Sequence, residues 1–235
     1  MTWRWLICFS ALACALTLDA ANVSGRIELR DSKDPAVRKK QNYSGVVVWL
    51  EAPNLHPVPI RTKILQKDKT FRPHVLVIPT GSLVDFPNLD PVFHNAFSNY
   101  SGQVFDVGLY PPGSSRSVRF SRPGIVRIFC NIHSTMTAIV AVVDSNWYDT
   151  TKSDGRFELT DVPPGEYVLK IFHERATAAS LAAAERPVLV TAESQVLPTI
   201  SVSESGYLSI PHKDKYGHDY KPVPDDSGSY PVTRK

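Results

Sequence analysis

Positions 23–29 alternate apolar and polar side chains, the period-two pattern of a half-buried strand. Residues 31–43 form a charged stretch that reads as a loop, and 46–50 is a continuous apolar run, as in a strand buried on both faces. A proline-rich break covers 53–59. Residues 71–78 then predict a strand in which Pro73, having no N–H to give, belongs at the start or on an edge. After the Pro79-Thr80-Gly81 turn, 83–86 is a short strand stopped by Asn88-Leu89-Asp90-Pro91. Residues 103–109 and 117–120 read as strands around Tyr110-Pro111-Pro112-Gly113, and 125–129 and 137–143 flank a short loop. Further on, Arg156-Phe157-x-Leu159 and Tyr167-x-Leu169-x-Ile171 alternate strictly on either side of a Pro163-Pro164-Gly165 turn. Residues 174–186 are alanine-rich and predict one short helix, and 188–190 and 197–202 complete the set. Many short strands separated by turns every few residues predict an all-β chain of sandwich type.

Composition adjusts that picture in three places. With 235 residues, 43% of them hydrophobic and 21% charged, the chain has room and apolar material for two small domains. The net charge of +3 is spread without a dense basic stripe, so no nucleic-acid partner is expected. Residues 1–21 have the features of a secretory signal: Arg4, an apolar run over 5–18, and small Ala20 and Ala21. That run is shorter than the roughly 20 residues a membrane-spanning helix needs. A periplasmic or secreted protein without a transmembrane span in its mature part is therefore expected. Lipid attachment at Cys14 is disfavoured, because Ala11 stands where a lipobox has a larger aliphatic residue. Cys8 and Cys14 fall in the leader, so the exported chain keeps Cys130 alone. A disulfide within it is excluded, and a lone thiol in an oxidising compartment has to be buried or ligated.

The residues around that thiol suggest ligation. In Cys130-x-x-His133-x-x-Met136, two residues intervene at each step, so one tight loop can turn all three donors inward. A second imidazole has to come from elsewhere, and His94-Asn95 follows a turn-rich segment. Two histidines, a thiolate and a weak axial thioether are the donor set of a blue-copper site, whereas Met is a poor zinc ligand. No general base, nucleophile pair or open coordination position accompanies the motif, so no catalysis is expected.

Cys130-x-x-His133-x-x-Met136, with Pro123-Gly124 before it and Asn88-x-Asp90-x-x-x-His94-Asn95 upstream, resembles the cupredoxins. The loop spacing is similar to that of amicyanin and pseudoazurin, and the resemblance covers about residues 60–144. It implies a Greek-key β-sandwich holding one copper ion at His94, Cys130, His133 and Met136, with a redox protein as partner. It also implies that Asn95 hydrogen-bonds toward the Cys130 sulfur and ties the two ligand loops together. Asn131-Ile132 and Thr137-Ala138 depart from the common residues at those places, which bears on the potential more than on the metal.

The later alternating strands resemble the carboxypeptidase-regulatory-like or transthyretin-like sandwich, a likeness that implies fold alone. The expected organisation is a signal at 1–21, a copper domain at 22–144, a small sandwich at 145–203 with one inserted helix, and an irregular or disordered tail at 204–235. The small sandwich has little material for a core, and the 23–50 segment is available to complete it. His173, at the end of a strand, reads as an ordinary residue rather than a second ligand. His212 and His218 in the tail invite only adventitious metal binding. One-electron transfer by a mononuclear copper is the leading expectation. Copper delivery or buffering would use the same residues. A structural or carbohydrate-binding double sandwich with a vestigial loop fits less well, since all four donors are intact.

Overall fold

The computed structural model describes residues 20–99, 102–208 and 212–220, and these form eighteen strands and two short helices. The fold is all-β. Among the described residues no helix is long and apolar enough to cross a membrane. The expected signal segment lies outside them, apart from Ala20 and Ala21.

The strands build two sandwiches. In the first, one sheet orders Val75–Pro79, Thr137–Val143, Gly124–Phe129, Phe97–Ser98 and Phe105–Asp106. The other orders Ser115–Arg119, Leu83–Pro87 and Arg61–Lys63. The chain keeps crossing between the two sheets as it proceeds, in the manner of a Greek-key sandwich. Phe86, Tyr110, Phe120, Val126, Ile128 and Val140 fill the space between them. Cys130 and Met136 belong to the same core, so the metal-type donors sit at the end of an apolar interior.

The second sandwich draws strands from both sides of the first. Ala21–Arg30 pairs antiparallel with Arg156–Val162 and parallel with Ile200–Ser203. Val47–Glu51 lies between Tyr148–Thr150 and Gly165–Phe172. Val23, Ile27, Leu29, Val48 and Leu50 therefore share a core with Phe157, Leu159, Leu169 and Val202. The physical reason is supply. Strands after residue 145 cannot form two facing layers alone, and the N-terminal alternation provides the missing inward face. The first sandwich is thus an insertion between Val47–Glu51 and Tyr148–Thr150. Gly155 makes the close approach possible: its φ is +81°, and a Cβ there would strike the carbonyl oxygen of Ile27.

A third cluster joins the two halves. Ile139 and Ala141, on the outer face of Thr137–Val143, pack against Val47 and Phe172. Ala138, Val140 and Val142 point the other way into the first core. Burial on both faces is why 137–143 reads as an unbroken apolar run.

Local differences have local causes. The charged 31–43 stretch contains a helix, Pro35–Lys40, which buries only Val37 and so leaves no helical periodicity to read. Asp34 caps it by accepting the Ala36 N–H at 2.8 Å, and Pro35 opens it. The expected helix at 174–186 is confined to Ala178–Ala184, with Thr177 as its cap. The expected strand at 103–109 is reduced to Phe105–Asp106.

Candidate metal centre

Gly124–Phe129 and Thr137–Val143 are antiparallel, with Phe129 opposite Thr137, so residues 130–136 close the end of a hairpin. The loop is pulled tight by two backbone bonds: Cys130 N–H to Met136 O at 3.2 Å, and Met136 N–H to His133 O at 3.0 Å. His94 arrives on a separate turn. The Asn88 side chain accepts the Asp90 N–H at 3.0 Å and donates to the Val92 carbonyl at 2.8 Å. His94 then exchanges backbone bonds with Tyr110, at 3.2 and 2.9 Å, which fixes its height at the same end of the sandwich.

The fold brings His94, Cys130 and His133 together, and it buries Met136 completely in the adjoining core. His94 and Cys130 are 0% exposed and His133 is 7% exposed. The Cys130 sulfur lies 3.9 Å from Nδ1 of His94 and 3.8 Å from Nδ1 of His133. The three donor atoms all fall within 4.8 Å of one another. Bonds of about 2.3 Å to sulfur and about 2.0 Å to nitrogen, opened to a trigonal angle of about 120°, put sulfur and nitrogen about 3.7 Å apart. The residues present therefore fit a first-row ion in a trigonal plane.

The electrostatics prepare the donors. Burial pushes the Cys130 thiol up, and the backbone N–H groups of Ile132, His133 and Asn95 act against it by bonding to the sulfur. A bound cation would complete the deprotonation. Burial holds His94 below the usual imidazole range, and this outweighs the upward pull of Asp90, leaving a neutral ring with a lone pair to give. Asp90 itself stays ionised. Burial acts to raise it, but the Lys69 and Asp68 N–H groups, at 2.8 and 2.6 Å, and the His94 ring hold it below the usual carboxylate range.

The sequence shows Asp90 as a turn residue within the Asn88-x-Asp90-x-x-x-His94-Asn95 run and assigns it no role toward His94. In the structure its Oδ2 sits 2.8 Å from Nε2 of His94, and the pair is buried. A carboxylate can only accept, so Nε2 carries the proton and Nδ1 faces the sulfur unprotonated. The signal that marks it is an acid four residues ahead of a candidate ligand.

Asn95 is held through two groups. Its backbone N–H bonds toward the Cys130 sulfur. Its side-chain amide donates to Asp106 Oδ1 at 2.7 Å and to the Gly108 carbonyl at 3.0 Å. The amide thus ties the His94 turn to the 106–108 loop instead of to the 130–136 loop.

The other histidines stand apart from this group. His173 is buried against Glu204 at 2.9 Å, and His74 is paired with Glu174 at 2.8 Å. His212 lies against the metal loop itself: its Nε2 is 2.7 Å from the Ser134 carbonyl, and its ring packs on Phe129. The expected irregular tail is therefore without regular structure over 212–220 but packed on the protein there. Residues 209–211 and 221–235 lie outside the described set.

No protein-family model matches the chain, and no curated protein matches it. Solved structures do resemble it. A purple cupredoxin from Nitrosopumilus maritimus is 24% identical over 35% of this chain and 99% of its own, with a TM-score of 0.32. Amicyanin from Paracoccus versutus is 16% identical over 40% of this chain and 97% of its own, with a TM-score of 0.34. A copper-containing nitrite reductase from Thermus scotoductus SA-01 is 24% identical, with a TM-score of 0.34. Here the match spans 50% of this chain and only 28% of the reductase.

Proposed function

We propose that this chain is a mononuclear copper protein of the cupredoxin type that carries single electrons between partner proteins outside the cytoplasm. One observation carries the reading: a buried cysteine sulfur stands 3.8 and 3.9 Å from two imidazole nitrogens, the spacing of a trigonal metal site. Copper, when bound, supplies a one-electron couple. The protein's part is to hold the donors in one geometry that serves both oxidation states. Asp90 orients His94, and the backbone N–H groups of Asn95, Ile132 and His133 favour the charged form of the sulfur. Met136, buried in the adjoining core, would offer the metal a further, thioether donor. The apolar interior keeps water from the donors. The 21–51 and 148–203 strands form a carboxypeptidase-regulatory-like sandwich that serves as a scaffold.

The test is the visible spectrum of the copper-loaded protein. An intense thiolate-to-copper band is expected. A protein that binds copper only in the reduced state and stays colourless would replace electron transfer with delivery or buffering.

A further inference from the structure

We propose that the 212–220 segment is a cap built over the metal loop, and that reagents or metal reach Cys130 only after it lifts. Its contacts fall on the backbone and side chains that shape the site. The Tyr220 hydroxyl donates to the Cys130 carbonyl at 2.8 Å and lies 3.3 Å from Nδ1 of His212. The His212 ring packs on Phe129 with 4.1 Å between centroids, and its Nε2–H donates to the Ser134 carbonyl at 2.7 Å. The Lys215 N–H donates to Asn131 Oδ1 at 2.9 Å. Residues 129, 130, 131 and 134 of the ligand hairpin are therefore all held from one side.

The same segment reaches the other ligand turn. Nζ of Lys215 bonds to Asp106 Oδ2 at 2.7 Å, while Oδ1 of Asp106 accepts from the Asn95 side chain at 2.7 Å. Lys215 thus bonds to the Cys130 loop through its backbone and reaches the His94 turn through Asp106, which Asn95 also holds. A segment bound this way covers the site and also braces the two loops against moving apart. Opening it breaks several hydrogen bonds and one ring contact together, enough to make the closed state dominant without locking it.

The copper part of this inference rests on the proposed function, so the experiment includes a readout that needs no metal. Metal-free full-length protein is treated with N-ethylmaleimide, and alkylation is followed by mass spectrometry on the peptide containing Cys130. His212→Ala with Tyr220→Phe should speed alkylation about tenfold, the scale of two lost contacts. Lys215→Ala should have a smaller effect, and Val196→Ala, at an exposed position outside the segment, none. In reduced, copper-loaded protein, transfer of the metal to bathocuproine disulfonate should accelerate in the same order, with the visible band of the oxidised form unmoved. Equal alkylation rates in all chains would overturn the cap whatever the metal result. Faster alkylation with no visible band in any copper-treated chain would uphold the cap and remove the copper reading.

Discussion

The two sandwiches differ in how far apart in the chain their parts lie. The one that holds the His94, Cys130 and His133 cluster is drawn from a continuous stretch, Arg61–Lys63 through Thr137–Val143, and those side chains come from two short turns. The other is assembled from both ends, with Ala21–Arg30 laid between Arg156–Val162 and Ile200–Ser203. Chemistry is thus concentrated in the part with local connectivity. The part with distant connectivity buries a hydrogen-bonded pair instead, His173 with Glu204 at 2.9 Å. A function carried by a few side chains needs short-range geometry, whereas a scaffold needs only complementary faces.

Substitutions should separate the two. Cys130→Ser should abolish the visible band outright while leaving the second sandwich folded, because a hydroxyl is far less readily deprotonated than a thiol. Absorption and circular dichroism on one sample check both halves. Ile27→Ala should do the reverse. It removes a side chain buried in the other core, costing about 2–5 kcal/mol in denaturant unfolding, with the band intact at room temperature.

Smaller effects sharpen the picture inside the half that holds Cys130. Asp90→Asn should weaken copper binding about 10- to 100-fold in a chelator competition, since an amide no longer fixes the His94 tautomer. An unchanged affinity would reduce Asp90 to a turn residue. Met136→Gln should keep the colour and lower the reduction potential, because the harder oxygen favours the oxidised ion. Each tenfold change in relative affinity moves the potential by about 59 mV. A potential that stays put or rises would place Met136 in the core alone.

The smallest effect tests a contact between the halves. His74, ahead of Val75–Pro79, bonds to Glu174, which follows Gly165–Phe172. That bond raises His74 above its ordinary 6.5, so its contribution is full below 6.5 and is lost as pH rises through the raised value. Glu174 is held below its ordinary 4.5, chiefly by His74, so its share is lost only as pH falls through that lowered value. His74→Gln should therefore cost more stability at about pH 5.5 than at about pH 8.5. The difference should be under about 1 kcal/mol, since the half-exposed pair is screened by water. Equal costs at both pH values would count the pair as incidental.

What was legible in the sequence follows the same division. Cys130, His133 and Met136 announce themselves by spacing, because a hairpin loop is a local object and its donors are neighbours in the chain. His94 is marked by the turn residues ahead of it. Asp90 was hidden in that turn, since a residue that stops a strand and one that orients an imidazole look alike in sequence. The partner of Ala21–Arg30 could not be read from its alternation, which states that one face is buried but not against what. The 212–220 cap left no apolar pattern, because most of its bonds go to carbonyls and polar side chains of the ligand loops.

Thr137–Val143 has a consequence for how the molecule comes apart. It leaves the metal loop directly, is hydrogen-bonded on both edges, to Val75–Pro79 and Gly124–Phe129, and is covered on both faces. Unfolding either sandwich would strip Ile139 and Ala141, or Val47 and Phe172, of their cover, so each half raises the free energy of the other's denatured form. Heating should accordingly give one calorimetric transition with matching van't Hoff and calorimetric enthalpies. Loss of the metal's colour on heating would then report the melting of the whole chain.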